Sequence, residues 1–527
     1  MISTVFENAT IIDGTGRSPY VTDVAIAENR IALIGDLRER DARERIDCTG
    51  KVLAPGFIDV HSHSDELWLA LPSCDGKIAQ GVTTEIGGNC GMSVAPLYGP
   101  GLERVRRSAK QVGIEVAWRS LDEFLGLVER NGIALNVATL VGLGSTRQAV
   151  AGDSERRLDA GELEAQARVV AQACDHGALG VSSGLIYPPS RYADLEELVA
   201  MAHAARGAGA PRYASHVRNE GDDLLAAIDE ALEVGERAGV TVQCSHHKAQ
   251  GKRNWGKVHA SLESIARARA RDVEAYCDVY PYVASWTELA TILPPEMRYG
   301  GRDATLQRLG DPEMAAAIAL ALDLSIGADW NDIMITEVAS ERNAGVAGMR
   351  VDEIARTWGL TPARAAIRLL LEETLDVGAV FFKMSEDDVA TVLSAEFCCI
   401  GSDASIRALR GVTARGVPHP RTFGTFPRVF KRFVRGRATI ELVEAVRRMT
   451  SLPAKIFGLH DRGSIAVGHF ADVVIFDSKR IADTATYEEP YCYPTGLEHV
   501  YVNGAAVMRA GELQAAARPG RVLRGGR

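Results

Sequence analysis

Residues 212–248 read RYASHVRNE, GDDLLAAIDEALEVGERAG and VTVQCSHHK in succession. The outer pieces are short, and each carries histidine near its end. The middle piece spaces Leu, Ile and Ala at three- and four-residue intervals among acidic residues, which is helical periodicity. Strand, helix and strand in that order predict a parallel pair joined by a crossover helix. The same alternation recurs outward in both directions. Eight strand candidates are PGFIDVHSH (55–63), VTTEIGGNCG (82–91), ALNVATLVGLG (134–144), GALGVSSGLIY (177–187), RYASHVR (212–218), VTVQCSHHK (240–248), VEAYCDVYPY (273–282) and EFCCIGSD (396–403). Helical text separates most of them, such as LDAGELEAQARVVAQACDHG at 158–177. Eight such alternations predict an α/β fold, a (β/α)8 TIM-like barrel over 56–461.

The flanks read differently. Residues 1–55 and 462–527 alternate short apolar runs with turn signals, as in TVFENATII and GSIAVGHFADVVIFD. This is strand-and-turn text. It predicts a small β-sandwich domain assembled from both chain termini. Before the last barrel strand, 285–350 carries LPPEMRYGG and MAAAIALALD and reads as an inserted subdomain.

Composition bounds the function. The chain has 527 residues, 46% hydrophobic and 24% charged, the proportions of a globular protein with a large core. The net charge of −10 argues against a nucleic-acid partner. Nine cysteines without a framework spacing fit a reducing compartment. MISTVFENATIIDGTG lacks a basic segment followed by an apolar run, and no window holds eighteen apolar residues. A cytoplasmic protein without a membrane partner is expected, and nothing in the sequence specifies an oligomeric state.

Metal-competent side chains collect at the C-terminal ends of the predicted strands, the face where barrels build active sites. His61 and His63 follow GFIDV, and residues two apart in an extended segment share a side. Cys90 stands between glycines in GGNCG, a setting that suits close backbone approach. His216 ends the fifth strand, His246-His247-Lys248 the sixth, and Asp403 the eighth. Taken singly, these residues read as a solvated loop, a small core thiol, packed histidines and a helix N-cap. Together they predict convergence on one metal site at the barrel mouth.

HSH, GVTTEIGGNCGMSVAP, SGLIYPPS, SHVRNE, SHHK, NWGK, YPY, GSDAS and HPRTFGTFPRV together resemble the N-acyl-D-amino-acid deacylase (D-aminoacylase) family of the amidohydrolase superfamily. The likeness covers nearly the whole chain. It implies a zinc-dependent barrel in which Cys90, His216 and His246 hold one tightly bound ion, while His61, His63 and Asp403 line a second, weaker position. His246 is taken over His247 because the family places a lysine two residues after the ligand, here Lys248. The resemblance implies hydrolysis of the amide bond of N-acyl-D-amino acids by metal-activated water, whose pKa zinc lowers to near ~7. Asp403 would act as general base and then general acid. The small-molecule substrate carries an α-carboxylate, which calls for a cationic partner. The family points to Arg421; Lys248, Tyr187 and a tyrosine of YPY, taken as Tyr282 over Tyr280, are further substrate contacts.

Two segments depart from the family pattern. Gly142-Leu143-Gly144 stands where relatives carry Gly-His-Gly, and LPPEMRYGG carries Glu296 and Arg298. An Arg298 that reached the pocket would favour an acidic D-side chain. A long basic loop after Asp403 carries Arg407, Arg410 and Arg415. Two other readings compete. A cyclic-amide hydrolase of the dihydroorotase or hydantoinase type would need a bridging lysine, which GALGVSSGLIY lacks. A non-catalytic barrel scaffold would have lost ligands that this chain keeps.

Overall fold

The computed structural model describes residues 1–525. Its centre is a set of short, buried, parallel strands: β1 (Phe57–Asp59), β2 (Val82–Gly87), β3 (Asn136–Thr139), β4 (Val141–Gly142), β5 (Val181–Gly184), β6 (Arg212–His216), β7 (Thr241–Cys244), β8 (Ala275–Val279) and β9 (Cys398–Ile400). β1, β2 and β3 pair in sequence order, and β4 through β8 continue the order to β9. The third predicted strand is broken at Leu140 into β3 and β4, but the chain stays in step. Leu140 N donates to the Gly87 carbonyl, and Val141 N to that of Gly180. At the other side Ser62 and Ala404 form a parallel bridge, and Asp403 N donates to the His61 carbonyl at 2.8 Å. The two runs of strands therefore meet beyond their C-terminal ends, where the metal-competent residues lie.

The strands are nearly all buried because helices cover them, as parallel sheets require. Ala160–Asp175, Leu195–Gly207 and Leu224–Ala238 pack side by side against the strands they join. Two of these helices start at aspartate caps, Asp159 with a full capping box and Asp194.

Both chain termini enter one nine-stranded sheet. Val473–Phe476 runs antiparallel to Val52–Pro55, which pairs with Ile2–Ile11. Phe6, Ile26, Leu53, Val473 and Tyr501 form a core for this sheet, separate from that of the parallel strands. A three-stranded antiparallel sheet with its own apolar cluster lies partly in the predicted insertion. Ser285–Glu288 and Ile333–Val338 lie within 285–350, and the third strand, Val377–Phe381, lies beyond it. The same apolar cluster runs from Leu289 to Phe381. Among the described residues no helix is long and apolar enough to cross a membrane.

Candidate metal centre and active site

Each strand end delivers its donor through a tight local geometry. Cys90, His246 and Asp403 all adopt positive φ, +53°, +35° and +50°. Such backbone is costly for a side chain with a Cβ and tends to mark functional turns. The Cys90 turn is pressed against its neighbours. A Cβ on Gly88 would stand 2.0 Å from the Leu140 carbonyl oxygen, and one on Gly142 would stand 2.5 Å from that of Gly91. Gly142-Leu143-Gly144 thus packs on the cysteine turn, with Leu143 buried.

The donor atoms converge. Cys90 Sγ lies 3.3 Å from His61 Nε2 and 3.6 Å from His246 Nε2, and His246 Nε2 lies 2.8 Å from His216 Nδ1. Asp403 Oδ1 lies 3.0 Å from His63 Nε2 and 3.6 Å from His61 Nε2. Ligands ~2.0–2.3 Å from a tetrahedral zinc stand roughly 3.3–3.7 Å apart, so most of these separations fit ligands around shared ions. Three sets each have donor atoms within 4.8 Å of one another: His61, Cys90 and His246; His61, His63 and Asp403; His216, Glu220 and His246. His61 and His246 belong to two sets each, which makes one continuous centre of the three. Four imidazoles, one thiolate and one or two carboxylates form a donor set suited to zinc.

Two buried carboxylates stand behind the imidazoles, and neither was singled out from sequence. Glu220 Oε1 lies 3.0 Å from His246 Nδ1, and Asp278 Oδ1 lies 3.3 Å from His61 Nδ1. A ring nitrogen that ligates must be bare, and each imidazole turns Nδ1 toward a carboxylate and offers Nε2 inward. Asp278 also accepts from His246 N at 2.9 Å and from Gln243 Nε2 at 2.6 Å. One carboxylate therefore braces both histidines. Lys248 Nζ pairs with Glu220 and lies 2.8 Å from the same His246 Nδ1. His247 faces away, its Nε2 2.8 Å from Ser261 Oγ.

The electrostatics suit these roles. Burial would raise the Cys90 thiol, but His61, His216 and His246 outweigh it and hold the thiol well below its ordinary value. Burial likewise opposes ionisation of Asp403, and Arg421, His61 and His63 reverse it and keep the carboxylate charged.

The centre lies in the wall of a cavity of about 960 Å³. Lys248, Tyr187 and Arg421 line it, as do His63, Cys90, His216, His246 and Asp403. Arg421, 1% exposed, has Nη1 2.9 Å from Asp403 Oδ2, while its Nε has no hydrogen-bond partner among the described residues. Tyr187 OH shares a hydrogen bond with Thr287 Oγ1 at 2.9 Å. Tyr282 is placed elsewhere: its OH donates to the Pro420 carbonyl at 3.3 Å, and Arg428 lies over its ring. Tyr280 is the tyrosine of this motif that lines the cavity, 4.6 Å beneath the Arg421 guanidinium. The strand β8 ends at Val279 and the chain bends at Pro281, so residues 280 and 282 do not share a face. Arg298 also lines the cavity, as does Glu288, whose carboxylate charge acts on it. Arg407 and Arg415 are both drawn to Glu337, which pins the basic loop.

Comparison with known proteins bears on this arrangement. Residues 44–508 match the amidohydrolase family. The chain is 38% identical to an N-acyl-D-glutamate deacylase of Alcaligenes xylosoxydans xylosoxydans, over 99% of this chain and 96% of the relative. It is 35% identical to a D-aminoacylase of the same organism, over 94% and 93%. The crystal structure of the Bordetella bronchiseptica N-acyl-D-glutamate deacylase, complexed with zinc and a phosphonate inhibitor, superposes with a TM-score of 0.85. The two chains share 35% identity, with 99% of this chain and 100% of that one covered. The chain belongs to the N-acyl-D-amino-acid deacylase family of amidohydrolases. Its histidines, thiol and carboxylate stand at or just beyond strand ends, where the sequence pattern locates them. Glu220 and Asp278 had a weaker signal, a carboxylate inside or just after an apolar strand.

Proposed function

We propose that this chain is a zinc-dependent deacylase that hydrolyses the amide bond of N-acyl-D-amino acids, giving a carboxylate and the free D-amino acid. One observation carries the reading: a thiolate, four imidazoles and Asp403 converge in a cavity where Arg421 presents an unpartnered Nε. Cys90, His216 and His246 would hold the tighter ion, with His61, His63 and Asp403 at a second position. When bound, zinc supplies Lewis acidity and a water of lowered pKa at neutral pH. Asp403 takes the water's proton and returns it to the departing nitrogen. Its ionised state, favoured first by Arg421, leaves it ready to accept that proton. Arg421 binds the substrate α-carboxylate, with Lys248, Tyr187 and, on the geometry above, Tyr280 nearby. Arg298 then meets the D-side chain, and a guanidinium in the cavity lining supports an acidic one.

The same reading takes the parallel strands as a closed (β/α)8 barrel over 56–461. It takes 1–55 and 462–527 as a terminal β domain, and 285–350 as part of an insertion. The bridge between Ser62 and Ala404 supports closure. The free cysteines and the Cys90 thiolate favour a reducing, cytoplasmic setting. A small-molecule substrate, without nucleic acid or membrane, suffices for this chemistry.

The test is amine release from N-acetyl-D-glutamate and N-acetyl-D-leucine before and after chelation. Activity lost on chelation and restored by zinc is expected, with glutamate favoured and that preference reduced at least ~tenfold in Arg298→Met. No release from either compound by the zinc-replete protein would overturn the function. An unchanged side-chain ratio in the variant would overturn the role of Arg298.

A further inference from the structure

His419 has no part in the chemistry above, yet it is 1% exposed and lies two residues before Arg421. Its two ring nitrogens do different work. His419 Nε2 lies 3.0 Å from the Ala284 carbonyl oxygen, which can only accept. Arg421 N donates to His419 Nδ1 at 3.0 Å, so that nitrogen must be bare. Together these contacts fix a neutral imidazole protonated on Nε2. Tyr282 and Tyr487 box the ring edge-on, with centroids 5.1 and 5.0 Å away, and Tyr487 OH lies 3.4 Å from Nε2. Burial, then the nearby Arg421, pushes this imidazole well below the ordinary histidine value, in keeping with the neutral form.

The two contacts join parts of the chain that are far apart in sequence. Ala284 directly precedes the strand Ser285–Glu288 of the insertion, and Arg421 opens the helix Arg421–Arg428. Arg421 returns to the same strand, with Nη2 3.4 Å from the Trp286 carbonyl. The imidazole thus fixes the spacing between the first residue of the helix and the strand across which its guanidinium reaches. We infer that His419 is a positioning residue for α-carboxylate recognition, holding the Arg421 backbone in register with the strand at Ala284–Trp286. This rests on Arg421 binding the substrate carboxylate, as proposed above. The contribution of Tyr487 makes the segment between Val473–Phe476 and Leu497–Val502 part of the support for that arginine.

Two substitutions separate the nitrogens. In His419→Asn, the amide oxygen takes the place of Nδ1 and still accepts from Arg421 N, while the contact with Ala284 is lost. In His419→Gln, the amide nitrogen takes the place of Nε2 and still donates to Ala284, while Arg421 N loses its acceptor. KM and kcat are measured for an N-acetyl-D-amino acid and for its carboxamide analogue, with zinc content on the same preparations. KM does not depend on how much of a preparation is folded, which separates positioning from a loss of folded protein. The expected result is KM for the acid raised about tenfold or more in the Gln variant and less than about threefold in the Asn variant. Carboxamide turnover per bound zinc should be alike in both. Equal KM shifts for the acid in the two variants would overturn the inference, as would an equal rise for the carboxamide. Absence of turnover in the wild-type protein would instead overturn the deacylase reading, and this inference with it.

Discussion

Replacing Asp278 by asparagine tests how the histidines are held. Asp278 is fully buried. Its Oδ1 accepts from His246 N at 2.9 Å and faces His61 Nδ1 at 3.3 Å, and its Oδ2 accepts from Gln243 Nε2 at 2.6 Å. Asparagine keeps the shape and one carbonyl oxygen for His246 N and His61. Its new NH2 would face the Gln243 amide nitrogen; a turn of that amide lets Gln243 Oε1, which has no partner, accept from it, but leaves Gln243 Nε2 without its carboxylate acceptor. The cost to the fold is that of one buried amide donor left unpartnered, about 1–3 kcal/mol. What disappears is the negative charge behind two imidazoles that the reading makes zinc ligands. Loss of such an outer carboxylate typically weakens metal binding by ~10–100-fold, or about 1.4–2.7 kcal/mol. Zinc affinity is measured by competition with a chromophoric chelator, and thermal unfolding is followed on the zinc-free protein. The expected outcome is a zinc affinity lowered by one to two decades, with the zinc-free melting temperature moved by a few degrees at most. Unchanged affinity would refute the reasoning. So would a loss of affinity that merely follows a large loss of stability.

Three further outcomes follow from the same geometry. Cys90→Ser removes the thiolate that His61, His216 and His246 hold ionised, so zinc content in purified protein should fall by metal analysis, with affinity lower by at least ~tenfold. Asp403→Ala should keep the tightly bound zinc yet lose ~10²–10⁴-fold in turnover, and full activity in that variant would remove Asp403 from proton transfer. Glu373→Gln probes the insertion: the buried carboxylate accepts from Ala339 N, Ser340 N, Ser340 Oγ and Asn343 Nδ2. Burial raises the Glu373 pKa, and these donors outweigh it and leave the folded value below the ordinary one. Its contribution is thus present above about pH 4.3 and lost as the pH falls below that. The variant should be less stable by about 1–3 kcal/mol at pH 7, with a shallower acid limb in melting temperature against pH.

What could be read from sequence was whatever repeats or must stand at the end of a strand. RYASHVRNE and VTVQCSHHK announce their strands by composition, and the donors stand at their ends, His216 as the last strand residue and His246 two residues beyond Cys244. The break at Leu140 is invisible because residues 134–141, ALNVATLV, carry no Gly or Pro, and only pairing divides them. Tyr282 was preferred over Tyr280 without a physical signal, and the bend at Pro281 puts Tyr280 into the cavity. The extent of the insertion depends on Val377–Phe381 finding Ile333–Val338, a long-range pairing that local periodicity does not encode. Asp278 stands in plain view in AYCDV, the one charge of the strand Ala275–Val279, and such a residue calls for a buried partner. His419 read only as part of a motif, because its role depends on a carbonyl 135 residues away in the chain.

The most direct test of the central claim is amine release from paired N-acetyl-D- and N-acetyl-L-amino acids, with Met, Leu, Phe, Glu and Asp side chains and zinc analysis on the same preparation. The account predicts bound zinc and release confined to the D series, with Glu and Asp leading because Arg298 faces the cavity. Bound zinc with no release from either series, or release from the L series alone, would contradict it.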